Sequence, residues 1–342
     1  MLDEYLPLFS SDYVNICCDE TFDLGKGRNS QFAPKDLYIK HLMAVIELVE
    51  ARGKRSMFWG DMVLEYRELL DKLPKDAVVL NWNYNPTPPE ETSAEFEKTG
   101  MTQYLCPGIH AWAGFSARIS NAEGNISKMA TYGQKYHAFG LLNTNWGDHG
   151  NLNLLSASMH GIIMGAAYGW NTAETPVQED YDAAFSVVAY GDHSRKLGQL
   201  LRRLGDVDPY RFWVTDDKPF DELRSFAVDV MNIDRQSIKP NRDTAAGIVR
   251  ELAHLRASAP ADVREDYDEF IWAASMIVAV NEYALLIFGE DIEDPRSLAC
   301  KFERLYDNYA ILWRRRNKES ELFRIREAML RTALRIRESL QD

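Results

Sequence analysis

Cysteine is scarce in this chain: four residues in 342, at positions 17, 18, 106 and 300. Neither a disulfide framework nor metal-ligand spacing can be built from them, and the adjacent pair Cys17-Cys18 sits inside an apolar run, which predicts buried free thiols. Clustered histidine is missing as well. His110, His137, His149 and His160 are scattered without the paired spacing of zinc ligands, so no metal is expected; His149 beside Asp148 is the one to follow. There is no G-x-S-x-G elbow and no Walker or dinucleotide glycine pattern, which removes the usual grounds for a serine nucleophile or a nucleotide site. The short run Gly25-Lys26-Gly27-Arg28 lacks both motif and context and is read as an exposed connection, with no role for Lys26 or Arg28.

Positive charge is in deficit. Lys and Arg number 39 against 52 Asp and Glu, a formal net charge of -13, which disfavours nucleic acid and anionic membrane surfaces and leaves a neutral small substrate as the better fit. No run reaches the roughly 18 apolar residues of a membrane span, and Met1-Leu2-Asp3-Glu4 lacks the basic start and apolar stretch of a signal peptide. The chain as given is therefore expected to be cytoplasmic.

What the sequence does have is apolar and aromatic material, 46% and 11%, enough for a sizeable core divided over two domains. From residue 13 to about 170, short apolar runs alternate with amphipathic stretches. The runs are Tyr13 to Cys18, Ser56 to Trp59, Ala77 to Trp82, Thr102 to Cys106 and Ala138 to Thr144; helical spacing lies between them over Leu37 to Glu50 and Leu64 to Leu73, with Pro34 near a helix start. Strands joined by helical crossovers are parallel and present their chemistry at their C-terminal ends. Beyond about Thr175 the pattern becomes helical throughout, over Ala184 to Leu204, Ala245 to Ala257, Tyr267 to Phe288 and Leu298 to Leu340. The arginine run near Trp313 reads as a solvated helix face. The expected division is a βα domain over 1-174 and a helical domain over 175-342.

The residues with chemical content cluster at the strand ends. Asp19 and Glu20 close the first run; an adjacent acidic pair is by itself most often a solvated turn or cap, but at the mouth of a parallel sheet burial and charge proximity raise one pKa and keep that carboxyl protonated as an acid. Phe58-Trp59-Gly60-Asp61-Met62, Leu80-Asn81-Trp82-Asn83-Tyr84 and the segment Asn143 to Gly150, which contains Trp146-Gly147-Asp148, each place a tryptophan at a strand terminus. One tryptophan is ordinarily a core anchor. Three at equivalent strand ends, with Asp61 and Asp148 beside them, supply the aromatic walls and hydrogen-bonding acids that a pyranose pocket requires.

In their order, Asp19-Glu20, Trp59-Gly60-Asp61, Trp82 and Trp146-Gly147-Asp148 resemble the motifs on strands four to eight of family 20 glycoside hydrolases, over roughly residues 10 to 172. The resemblance implies a partial (β/α)8 TIM-type barrel, strands four to eight, followed by an all-α domain. It implies a retaining exo-β-N-acetylhexosaminidase that removes terminal β-linked GlcNAc or GalNAc without metal or organic cofactor. Glu20 would be the general acid/base, and Asp19 would orient and polarise the substrate acetamido group, whose carbonyl is the nucleophile. Trp59, Trp82 and Trp146 would wall the acetamido pocket and stack beneath the sugar, Asp148 would bind sugar hydroxyls, and Asp61 would be a supporting acid. Trp112, in Cys106-Pro107-Gly108-Ile109-His110-Ala111-Trp112, stands where many members carry a tyrosine. Strands one to three have no counterpart, since only 18 residues precede Asp19. Five strands cannot close an eight-stranded barrel, so the open edges are expected to pair with a missing N-terminal barrel half or with a second copy. The alternative from another class is a carbohydrate-binding or interaction protein that keeps the pocket without turnover.

Overall fold

The structure, a computed structural model, describes residues 1-148, 152-208, 234-290, 292 and 294-340. Five strands form one parallel sheet: β1 (Tyr13–Asn15), β2 (Arg55–Trp59), β3 (Val78–Trp82), β4 (Thr102–Cys106) and β5 (Gly140–Leu141). Their order in space is β1-β2-β3-β4-β5, the order of the chain. A doubly wound sheet reverses direction at a switch point; this one never does, which is the winding of a (β/α) barrel segment. The register sets Asn15 opposite Met57, Trp59 opposite Leu80, Trp82 opposite Cys106 and Leu105 opposite Leu141. A further bridge joins Gly108 to Thr144.

The chain divides into two compact units, one of 1-108, 124-144 and 168-172, the other of 109-123, 145-167 and 173-342. The sheet belongs to the first. There β2 and β3 are covered on both faces, with Ser56, Phe58 and Trp59 and the whole of Val78 to Asn81 buried, so their runs are mostly apolar rather than alternating. Helix α2 (Pro34–Glu50) begins at a proline whose missing N–H costs nothing there and buries Tyr38, Leu42, Ile46 and Val49, one residue per turn. Tyr38, Leu42 and Ile46 pack with Phe58, Val79 and with Phe96 from α4 (Glu90–Thr99). The edge strand is different: β1 spans only three residues, and Tyr13 and Asn15 are exposed.

Several boundaries differ from the sequence expectation. Leu64 to Leu73 is not one helix. The helix Asp61–Glu65 ends where Tyr66 leaves the helical region, and a 3-10 turn, Arg67–Lys72, follows; Tyr66 instead packs 6.5 Å from the Tyr38 ring. The run Ala138 to Thr144 yields only the two residues of β5.

In the second unit two of the four expected helical segments are interrupted, while Ala245 to Ala257 and Tyr267 to Phe288 each match a single helix. Ala184 to Leu204 resolves into Gln178–Tyr190 and Leu197–Asp206. Gly191 caps the first with φ 62°, and the Asp192 carboxylate accepts N–H bonds from Ser194, Lys196 and Leu197 to start the second. This is a glycine stop followed at once by an acidic start. Leu298 to Leu340 is likewise Pro295–Arg316 and Leu322–Glu338. Between the two pairs lie Arg235–Ser258 and Arg264–Ile287. The segment Ala261–Ile287 is long and apolar enough to cross a membrane, contrary to the sequence expectation, but 67% of its most apolar stretch is buried within the protein. It is the core helix of this unit, with Phe270, Trp272, Met276, Ile277 and Val280 inside.

A charged network is buried in the same unit. Arg202 donates twice to Asp182, from Nε at 2.6 Å and Nη2 at 2.9 Å, and once to Glu123 at 2.7 Å. His160 Nε2 lies 2.9 Å from Asp182 Oδ1, and His160 and Asp182 are each 1% exposed. Burial holds His160 below the ordinary 6.5, in spite of the neighbouring carboxylate. The ring is therefore neutral, with Nε2–H donating to Asp182. Burial pushes Asp182 up, but the bonds from His160 and Arg202 outweigh it and hold the carboxyl below its ordinary value.

Two outcomes follow for stability. Arg202→Met strands the buried carboxylates and is expected to cost about 3–5 kcal/mol, read by denaturant unfolding; a loss below about 1 kcal/mol, the scale of an exposed pair, would contradict the network. The unfolded chain binds a proton on His160 below 6.5, and on Asp182 below 3.8, more readily than the folded chain does. Stability should therefore fall as pH is lowered, first through the histidine window and then through the carboxylate one. Thermal unfolding of wild type and His160→Gln between neutral and mildly acidic pH checks the first part, which the substitution should remove.

Candidate active site

The acidic pair does not end its strand directly. β1 stops at Asn15, and the chain turns: the Asn15 side-chain oxygen accepts the Cys17 N–H at 2.9 Å, and Cys17 and Cys18 both take positive φ, 60° and 66°. An asparagine that bonds the backbone two residues on is a turn former; two cysteines in the left-handed region are held there only because their surroundings determine them. The surroundings are explicit. Ile16 N–H donates to Met57 O at 2.8 Å and Trp59 N–H to Cys17 O at 3.0 Å, so β2 continues to hold the chain past the end of β1. Tyr38, from α2, donates its hydroxyl to Cys18 O at 3.1 Å. Asp61 accepts the Glu20 N–H on Oδ2 at 2.9 Å. Asp19 is half-buried and Glu20 exposed.

Asp61 is thus a positioning residue for the Glu20 peptide. Its second oxygen, Oδ1, is buried and meets no hydrogen-bond partner among the described residues. Burial pushes the Cys18 thiol up to about 11, with Cys17, Asp19 and Asp61 adding to it, and pushes the Tyr38 phenol up, with Cys18, Asp61 and Asp19 again contributing. Both groups stay protonated donors. The same pattern places the two aspartates close to this one thiol and phenol. Gly60, between Trp59 and Asp61, allows the tight junction: a Cβ there would lie 2.8 Å from the Phe96 ring and 2.9 Å from Val79. Trp59 itself is buried.

At the end of β3, Trp82 is half-buried and stacks on Tyr84, ring centres 5.0 Å apart at 26°. Asn125 binds the loops after β3 and β4 together, donating to Asn83 O and Asn85 O at 2.8 Å each and accepting the Gly108 N–H at 2.9 Å. The first unit therefore brings Asp19, Glu20, Trp59, Asp61 and Trp82 to the C-terminal ends of three adjacent strands.

Trp112, Trp146 and Asp148 belong to the second unit. Trp112 stacks on His110 at 4.9 Å, the Arg118 guanidinium sits 5.9 Å from its ring centre, and Arg118 Nη1 donates to Trp112 O at 3.1 Å. The loop is anchored by Asp208, whose Oδ2 accepts the N–H groups of Phe115 and Ser116 at 2.9 and 3.0 Å. Trp146 is half-buried and Asp148 exposed. His149 and Gly150 lie outside the described residues. Buried thiols are found only in part: Cys106 is buried and Cys18 intermediate, whereas Cys17 and Cys300 are exposed. The run Tyr13 to Cys18 is an edge strand and a turn, not a covered strand, which is why Cys17 meets solvent.

No family model matches the chain. No curated protein matches it either. Among solved structures, a family GH115 4-O-methyl-α-glucuronidase with specificity for decorated arabinogalactans superposes on 89% of this chain and 42% of its own, with a TM-score of 0.53 and 14% identity. The fold is like that of this glycoside hydrolase structure. The chain spans less than half the length of that structure, and at this identity the likeness is one of architecture. In the first unit the sequence reading missed the roles of Asn15, Tyr38, Tyr84 and Asn125, which hold the strand-end loops; in the second it missed Arg118, which holds the Trp112 loop. Only Asn15 carried a signal, as a turn former at the end of an apolar run.

Gly60→Ala is expected to destabilise the fold by about 1–3 kcal/mol, the range for overpacking, because its Cβ would meet Phe96 and Val79 rather than a mobile side chain. A second change, Phe96→Leu, should recover part of the loss in a double-mutant cycle; additive effects would mean that the contact is not the cause.

Proposed function

We propose that the chain is a retaining exo-β-N-acetylhexosaminidase acting by substrate-assisted catalysis, with Glu20 as general acid/base. The observation that carries this reading is the fastened turn after β1, which leaves the Glu20 carboxylate exposed while its own peptide is held by Asp61, beside half-buried Asp19. Support comes also from the parallel, unreversed strand order and from the likeness to a glycoside hydrolase structure.

In the proposed reaction the substrate acetamido oxygen attacks C1 as Glu20 protonates the glycosidic oxygen. The C1–O bond breaks and a cyclic oxazolinium intermediate forms, with Asp19 accepting the acetamido N–H. Glu20, now a carboxylate, takes a proton from water, which attacks C1, reopens the ring and restores the starting configuration. Trp59 and Trp82, at the ends of adjacent strands, supply walls for the sugar.

A second reading is favoured by one observation. Among the described residues the sheet has two open edges, β1 with exposed Tyr13 and the two-residue β5. An N-terminal βα segment of three parallel strands, or a second copy, would cover them. Without that cover the chain would bind sugars through its tryptophans and not turn them over.

The test is hydrolysis of 4-methylumbelliferyl N-acetyl-β-glucosaminide by the purified chain, with a 4-nitrophenyl α-glucuronide as the comparison substrate. Glu20→Gln is expected to lower kcat by about 10²–10⁴-fold, the usual contribution of a general acid, and a thiazoline mimic of the intermediate should inhibit. Turnover of the glucuronide alone would overturn the substrate assignment. Binding of the mimic without turnover by either substrate would favour the second reading.

A further inference from the structure

The helical unit contains a small cavity of about 10 Å³, about the space that one water molecule occupies. Its walls are mostly apolar, Leu201, Leu204 and Phe270 among them, but His160 and Glu269 line it as well. Both are 1% exposed. Each keeps one buried polar atom, His160 Nδ1 and Glu269 Oε1, that meets no hydrogen-bond partner among the described residues. Buried polar atoms are ordinarily satisfied, so two orphans in the walls of one cavity call for a common partner.

The other atoms of both side chains are committed, which fixes what the orphans can do. His160 Nε2–H donates to Asp182, so Nδ1 of the neutral ring carries a lone pair and no hydrogen. Glu269 Oε2 accepts the Ser156 N–H at 2.8 Å, while Arg316 Nη1 stands 3.2 Å from Oε1 as an ion pair without hydrogen-bond alignment. Both orphans are therefore acceptors, and two acceptors cannot bond each other. Their spacing is set by one helix. Ser156 and His160 lie one turn apart on the same face of the helix Ser156–Trp170, so the carboxyl bonded at Ser156 and the imidazole are offset by about one pitch, roughly 5.4 Å. Two hydrogen bonds of roughly 2.8 Å in series cover about that span.

We infer that this cavity is a hydration site, in which one long-lived water donates one hydrogen to His160 Nδ1 and the other to Glu269 Oε1. Water is the ligand that fits: it brings two hydrogens to two acceptors, whereas a cation would be repelled by the Arg316 guanidinium beside Oε1 and a larger molecule exceeds the space. Ser116, also in the lining, offers a hydroxyl to the water oxygen. The bridge joins two buried clusters into one, Glu123, Arg202, Asp182 and His160 on one side and Ser156, Glu269 and Arg316 on the other. It is independent of the strand-end reading.

Two measurements on the full chain test it. Magnetic relaxation dispersion of the water oxygen nucleus counts water molecules that stay inside the protein, and nitrogen NMR of the His160 ring reports whether Nδ1 accepts a hydrogen bond. Ala273 lines the cavity and is buried, so Ala273→Val fills it. The variant is expected to hold one long-lived water fewer than wild type, and its Nδ1 resonance should move to the position of a bare imine nitrogen while Nε2 stays protonated. An unchanged water count in the folded variant would overturn the inference, as would a bare Nδ1 in wild type, a reading that stands even if Ala273→Val does not fold. A hydrogen-bonded Nδ1 in both proteins with an equal count would mean that a protein group reaches the ring directly, and would also overturn it.

Discussion

The loop that carries Asp19 and Glu20 leaves an edge strand of three residues, and its peptide groups must find partners where the ladder has ended. Everything at the candidate site follows from how that requirement is met. β2 outlasts β1 and lends the Trp59 N–H to Cys17 O; α2 lends the Tyr38 hydroxyl to Cys18 O; the residue after Trp59-Gly60 lends its carboxylate to the Glu20 N–H. The tryptophan and the aspartate of the second motif thus hold the first motif from their own backbone and side chain. Gly60 is what allows both to sit so near the α4 aromatic ring.

The second unit solves a different problem. Its core helix is apolar on nearly every side, so specificity has to come from the few polar groups it and its neighbours bury. Arg202 joins Asp182 and Glu123, and Asp182 in turn fixes the ring of His160. Because His160 and Asp182 are each 1% exposed, removing Arg202 leaves the Asp182 carboxylate in a medium that cannot solvate it.

How much of this was legible depended on what each residue type signals. Val78 to Trp82 and Thr102 to Cys106 read as strands because they are short, mostly apolar runs, although each buries one amide, Asn81 and Gln103. Tyr13 to Cys18 looked the same, yet only its first half pairs, since a cysteine gives no hint that it will take a positive φ. The breaks in the long helical runs fall in polar stretches, 191-196 and 317-321, which read like the solvated face of a continuing helix; the Gly-Asp junction was the visible signal in the first case. The positioning residues were harder. Tyr38 lies on the buried face of α2 and belongs to the core, and its hydroxyl's errand to Cys18 has no separate mark in the sequence. Asn125 ties two loops that are far apart along the chain, a relation that no local pattern encodes.

The order of the sheet has one more consequence, for assembly. Among the described residues each strand from β2 to β5 pairs with the strand made immediately before it. The loop-closure entropy of each addition is therefore that of one βα unit, and the sheet can grow in the direction of synthesis, each new strand templated on a surface already present.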